Sequence, residues 1–300
     1  MQTDGKGHGM EGRPGSILFF LRAPRPGDDY DPAPNPPTGH AKDIRMSSNI
    51  IYRTDAIATY FGRHRRRWDD FYPSERRVFE QVGESCRGFG HVLDVGCAAG
   101  GLGAALPERF PVASYTGIDI SASAIETARR CTDIPVPHEF LAGDVVSAPE
   151  LAGRRFDTVF NLSCADWNVD TGGIMAATWR AVAPGGCMIT TLRLTNGPGE
   201  RGMARSFQFI HYGDAPLPDD AERAAYVVLN SGDALAMLGG LGPERVSGYG
   251  FWGAPSTMAR TPFHAILFAV FAIFRAGDGN PCDRAVFDLD FPVTAWASPR

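Results

Sequence analysis

Between residues 92 and 103 the chain reads Val-Leu-Asp-Val-Gly-Cys-Ala-Ala-Gly-Gly-Leu-Gly, an apolar strand that runs directly into glycines. Without a Cβ, glycine lets the backbone turn sharply and approach a ligand closely, here at the first strand-to-helix crossover. Two more acids follow the same plan. Asp119 ends the next strand in Thr116-Gly117-Ile118-Asp119-Ile120-Ser121, where a carboxylate can accept hydrogen bonds from both hydroxyls of a ribose. Asp144 follows a third strand in Leu141-Ala142-Gly143-Asp144-Val145. Asp94, Asp119 and Asp144 thus stand at strand C-terminal ends, the edge at which open α/β sheets bind ligands.

The elements that must hold these residues alternate between strand-like and helix-like patterns after residue 90. Strands are expected near 91–95, 114–119, 138–142, 156–161, 187–194, 244–250 and 264–274. Helices fall near 101–109, 121–131, 172–183 and 231–240. Such alternation predicts an α/β protein whose seven-stranded, doubly wound sheet is covered on both faces. Residues 195–230 are rich in glycine, proline and charge and read as an insertion after strand five, lying over the binding edge. Ahead of the sheet, Ile57, Tyr60 and Phe61 have helical spacing, and Pro73-Ser74-Glu75 opens a second helix carrying Val78, Phe79 and Val82.

The chain of 300 residues therefore divides into a Pro/Gly-rich tail over 1–45, a helical lead or lid over 46–90, one α/β domain over 91–276 and an extension over 277–300. Residues 1–40 hold seven Gly and seven Pro, too little apolar material to offset ordering entropy, so this tail is expected to be disordered. Lysine occurs only at 6 and 42, which leaves no lysine in the folded part for a Schiff base, pyridoxal phosphate or a Walker loop. A net charge of −5 argues against a nucleic-acid partner. The six scattered cysteines show no metal-ligand spacing, so no metal is expected and the thiols read as reduced, with a cytoplasmic location. The longest apolar run, 265–274, is half the length that crosses a membrane.

On the motif at 92–103, with Asp119 and Asp144 behind it, residues 90–195 resemble the class I S-adenosylmethionine-dependent methyltransferases, and 230–275 resemble them more loosely. The resemblance implies a Rossmann-like sheet whose last strand runs antiparallel, with S-adenosyl-L-methionine as cofactor and S-adenosyl-L-homocysteine as product. It implies that Asp94, Gly96, Ala98 and Gly100 lie under the methionine and ribose. Asp119 would bind the ribose hydroxyls with Ile120 against the adenine, and Asp144 would take the adenine amino group beside Val145. Asn161, Leu162 and Ser163 would line the methyl-transfer side. Ala98 departs from the family's GxGxG, at its middle glycine. An NAD(P)-dependent oxidoreductase also uses a glycine turn and a ribose acid, but its usual GxGxxG is replaced here by GxAxGGxG. A protein that keeps the fold without turnover is the third alternative.

Methyl transfer from a sulfonium is an in-line displacement, and an alcohol acceptor benefits from a base. His91 and His138 begin parallel strands, at the edge away from the cofactor. His211 in the insertion and His264 at the start of the last strand belong to the cofactor edge, and Asp166 follows strand four; these three are the expected base candidates. His64, Arg67, Trp68, Ser163, Tyr212 and Trp252 are the expected contacts of a small-molecule acceptor such as a sugar. Two readings of Arg63–Arg67 stand: a solvated helix face, or a lid that binds an anion. Asn161 is followed by Leu-Ser-Cys, which lacks the D/N-PP-Y/F signature of exocyclic-amine methylation. Oxygen is thus the preferred acceptor atom, nitrogen and carbon being alternatives, in a monomer or homodimer.

Overall fold

The computed structural model describes residues 17–22, 54–131, 133–211 and 216–296. In chain order it contains β1 (Ile17–Arg22), α1 (Ala56–Phe61), α2 (Pro73–Ser85), β2 (Gly90–Val95), α3 (Gly101–Ala105), β3 (Val112–Asp119) and α4 (Ala122–Arg130). There follow β4 (His138–Ala142), β5 (Phe156–Asn161), α5 (Thr171–Arg180), β6 (Val182–Thr195), β7 (Phe207–Phe209), β8 (Arg223–Ala225) and β9 (Leu229–Asn230). The chain closes with α6 (Ser231–Gly240), β10 (Arg245–Gly253), β11 (Ala259–Arg260), β12 (Ile266–Phe274) and β13 (Arg284–Asp290).

The main sheet has the order β1-β13-β10-β12-β6-β5-β2-β3-β4, with β9 beside β6. All seven expected strands are in it, and β12, antiparallel to both β6 and β10, is the reversed one. The order turns back between β2 and β5, which places a crevice at the C-terminal ends of the parallel strands.

Alternation along the central strands builds two cores. Val92, Phe160, Ile189 and Val270 face the layer that contains α2, α3 and α4. Their neighbours Leu93, Val159, Met188 and Phe271 face α5 and α6. Being buried on both faces is why these strands read as near-continuous apolar runs. Each such side chain contributes about 1.5–3 kcal/mol, so the crevice is held on a rigid base.

Three expectations change. The segment expected to be a disordered tail contains β1, which pairs antiparallel with β13. The expected C-terminal extension is part of the sheet, because β13 lies parallel against β10. The insertion is a built unit: its β7 and β8 join β11, from later in the chain, in a separate three-stranded antiparallel sheet.

The arginine run is divided: Arg63 and Arg67 are exposed to solvent, while Arg65 and Arg66 are engaged by acids and backbone. Arg65 Nη2 donates to both carboxylate oxygens of Glu75 at 2.9 Å. Glu75 Oε2 also accepts from Tyr72 N at 3.0 Å, which anchors the start of α2. Arg66 is buried; its Nη1 donates to Ala99 O at 2.7 Å and its Nε to Asp133 Oδ2 at 2.8 Å. Arg67 Nε reaches Glu108 Oε1 at 2.5 Å. Arg66 thus ties the lead to the glycine turn, and Arg67 ties it to the segment after α3.

Candidate active site

The turn after β2 is a left-handed one. Gly96 has φ 75°, Ala98 φ 46° and Gly100 φ 74°. A Cβ on Gly96 would stand 2.9 Å from Cys164 Sγ, and one on Gly101 would stand 2.1 Å from Arg65 O. Only glycine fits at both places. Ala98 occupies a region that costs an L-residue ~1 kcal/mol, and its amide donates to Asp119 Oδ2 at 2.8 Å. Asp119 Oδ1 accepts from Ser121 N at 2.8 Å. Two backbone amides therefore fix the carboxylate that ends β3.

Among the described residues, three of the four non-glycine residues with positive φ, namely Arg65, Ala98 and Ser163, line one cavity. Strain of this kind collects where a site is preorganised. The cavity has a volume of about 530 Å³ and sits over the strand ends. Asp94, Gly96, Ala98, Asp119, Ile120, Asp144, Val145, Leu162, Ser163 and His64 all line it. Of the expected cofactor contacts, Gly100 and Asn161 do not.

Gly100 acts one position back, at the start of α3, where a Cβ would meet the Phe140 ring at 2.6 Å. Asn161 is wholly buried; its Nδ2 donates to Thr178 Oγ1 at 3.1 Å and its Oδ1 accepts from Ala165 N at 3.0 Å. It shapes the loop after β5 and turns away from the cavity.

The electrostatics are set by burial. Burial pushes the Asp94 carboxyl up to about 7, against the pull of the Tyr115 hydroxyl, which donates to its Oδ2 at 2.6 Å. Burial also raises Asp119, opposed by the amides of Ser121 and Ala98. Asp144 Oδ1 accepts from Val146 N at 2.9 Å.

None of the three expected bases lines the cavity. Asp166 is buried behind it; its Oδ2 pairs with Arg193 Nε at 3.3 Å, and burial raises the carboxyl while Arg193 lowers it. Arg193 in turn lies 3.8 Å over the Tyr226 ring and 5.3 Å over the Trp167 ring. A carboxylate so enclosed positions Arg193 and Trp167. His264 is exposed and outside the lining, and His211 is also outside it.

Among the expected acceptor contacts, Trp68 is a core residue against Phe79 and Phe110. Arg67 is held by Glu108, and Trp252 donates to Thr294 Oγ1 at 2.9 Å. None of the three lines the cavity. Tyr212 lies outside the described residues. Trp167, which follows strand four beside Asp166, and Arg65 of the arginine run do line it, together with Tyr60, Phe61, Asn168 and Gln208, which were not foreseen.

The sheet order, the glycine turn and the strand-end acids are those that the resemblance to the class I S-adenosylmethionine-dependent methyltransferases implies. Residues 92–186 match the family model described as a methyltransferase domain. The chain is 32% identical over 98 residues to a trans-aconitate 2-methyltransferase of Paracidovorax citrulli (33% of this chain, 36% of the relative). It is 26% identical over 149 residues to a malonyl-[acyl-carrier protein] O-methyltransferase of Xylella fastidiosa (48% and 50%). It is 41% identical over 64 residues to a ribosomal RNA small subunit methyltransferase C of Pseudomonas aeruginosa (21% and 18%). The chain thus spans between about a fifth and a half of the length of these relatives. Their names differ in the acceptor, so the shared stretch carries no acceptor identity.

Proposed function

We propose that this chain transfers a methyl group from S-adenosylmethionine to an oxygen of a small molecule. One observation carries the reading: Asp94, Asp119 and Asp144, from three different strand ends, open into a single cavity over a glycine turn in which a Cβ would collide with its neighbours. The residues fit the cofactor. Asp119, already oriented by two amides, has lone pairs left for both ribose hydroxyls. Ile120 and Val145 offer apolar surface to the adenine, Asp144 accepts from its amino group, and Asp94 with the turn faces the methionine part.

Among the described residues His64 is the one histidine that lines the cavity. Its Nδ1 lies 2.7 Å from Tyr60 O, and its ring stacks on Tyr60 at 4.1 Å. A carbonyl only accepts, so Nδ1 donates to it, and in the neutral ring Nε2 keeps a lone pair. Bound S-adenosylmethionine would supply the methyl group, the electron pair of the broken C–S bond staying on its sulfur, and His64 Nε2 would take the proton of the acceptor hydroxyl. Water exclusion falls to the lead, which Arg66 fastens to the turn through Ala99 O.

The test is incubation of the full chain with S-adenosylmethionine and a panel of hydroxylated acceptors, with mass detection of S-adenosylhomocysteine and of a product heavier by one methyl. Formation of both supports the reading. Reduction of an NAD(P) cofactor by the same panel, with no S-adenosylhomocysteine, would replace it with the oxidoreductase alternative.

A further inference from the structure

We propose that the acceptor of this site is a phenol, a hydroxyl carried on a planar aromatic ring, and neither an alkyl hydroxyl such as a sugar's nor a carboxylate. This rests on the methyltransferase reading with His64 as its base, and it adds the substrate class.

The base sets the first condition. His64 is the one histidine in the described lining, and its ring is fixed by the bond from Nδ1 to Tyr60 O at 2.7 Å. An alkyl hydroxyl holds its proton about as tightly as water does, with a pKa of ~16, whereas an ordinary imidazolium loses its own at ~6.5. A phenol, like the tyrosine side chain, ionises at ~10. Transfer to an imidazole is therefore uphill by about nine to ten units from an alkyl hydroxyl and by about three to four from a phenol. Only the smaller gap is one that a positioned base can bridge as the oxygen begins to bond. The step balances: the phenol oxygen forms the new bond to the methyl carbon, its proton moves to His64 Nε2, and the electron pair of the broken C–S bond stays on sulfur. A carboxylate has no proton to give up and would leave His64 without a task.

The surface around that base sets the second. The His64 and Tyr60 rings lie stacked, 4.1 Å apart at 12°, and Phe61 stands edge-on to Tyr60 at 5.0 Å. Phe61 also packs, with Ala98 and Trp167, against the small cluster that holds Ile57. These six residues all line the cavity, and Ala98 belongs to the turn proposed to lie under the cofactor. Ring and methyl contacts thus join the base to that turn. An aromatic acceptor meets aromatic neighbours by stacking or edge contact and removes its own apolar faces from water. A polyol would lose the hydration of its remaining hydroxyls against Ile57, Phe61 and Ala98, whose side chains offer no hydrogen bonds.

The test uses the full chain saturated with S-adenosylhomocysteine and titrated with 4-nitrophenol, whose ionised form is coloured and whose neutral form is not. At pH 6 the bound probe should be ionised to a larger fraction than the free one, and His64→Phe should abolish that change while the probe still binds. Phe61→Ala should weaken the probe by about threefold to tenfold, more than it weakens S-adenosylhomocysteine. For turnover with S-adenosylmethionine, 2-naphthol, methyl β-D-glucopyranoside and trans-aconitate are supplied separately at equal concentration, and the methyl ether of 2-naphthol is the expected product. The proposal is overturned if neither phenol binds, if the colour of bound 4-nitrophenol is the same in His64→Phe, or if 2-naphthol is methylated no faster than the glucoside or trans-aconitate. Failure of S-adenosylhomocysteine itself to bind removes the methyltransferase reading and this proposal together. Bound S-adenosylhomocysteine with no phenol binding removes the acceptor class alone.

Discussion

The amide of Ala98 donates to Asp119 Oδ2 at 2.8 Å, which ties the turn after β2 to the acid that ends β3. The bond holds a non-glycine residue at φ 46° and keeps one carboxylate oxygen oriented, so the strain of the turn and the aim of the acid are one feature.

Replacing Ala98 by glycine relieves that strain. The Ala98→Gly protein should be more stable by about 0.5–1 kcal/mol, a rise of about 2 °C in Tm, with its affinity for S-adenosylhomocysteine unchanged. Scanning calorimetry checks this. A lower Tm would mean that the Ala98 methyl contributes more through packing than its backbone conformation costs.

Asp94 makes stability depend on pH. Its folded pKa is raised to about 7 from an ordinary value of 3.8, chiefly by burial. The folded state then binds the proton more tightly than the unfolded chain does. The resulting stabilisation is complete below the unfolded pKa, near 4, and is lost as pH rises through about 7. Thermal melts of the ligand-free protein between those limits should show this decline, and Asp94→Asn should flatten it. An equal decline in the variant would assign the effect to other groups.

Two neighbouring arginines should behave differently. Arg66 is buried, with hydrogen bonds to Ala99 O and Asp133, so Arg66→Ala should cost about 2 kcal/mol or more. It should also weaken S-adenosylhomocysteine binding, because Ala99 belongs to the turn. Arg67 is exposed and pairs only with Glu108, so Arg67→Ala should cost under about 1 kcal/mol. Urea denaturation of both variants measures the contrast, and equal losses would contradict the tie through Arg66.

Asn161 gives a test away from the cavity. Its side chain bridges Ala165 N and Thr178 Oγ1 with no exposure, so Asn161→Leu strands both partners and should cost about 1–3 kcal/mol. A stability matching the parent protein in urea would mean that the loop after β5 is held by other contacts.

The strand ends were legible because β2, β3 and β4 are short runs that end on, or run into, glycine or acid, and a parallel sheet sends every such end to one edge. Asp94, Asp119, Asp144, Ile120 and Val145 reach the cavity for that reason. What decides the rest is long-range. Asp166 follows β5 where a base was expected, yet Arg193, 27 residues away, draws it into the interior. Arg63–Arg67 has no local partners for its charges in the way a helix face does; Asp133 and Glu108 become neighbours only when the lead folds back. Gln208 lies on a strand of three residues, shorter than any alternation that could reveal it. β1 stands in a Pro/Gly-rich stretch whose composition outweighs six residues of strand pattern.

The account stands on Asp119 as the ribose acid of an S-adenosylmethionine site, and isothermal titration of S-adenosylhomocysteine into the parent chain and into Asp119→Ala addresses this directly. Saturable binding of one equivalent to the parent, weakened about 100-fold or more in the variant by loss of two charge-assisted hydrogen bonds, is the predicted result. Binding of equal strength to both proteins, or binding of NAD(P) but not of S-adenosylhomocysteine, would contradict it.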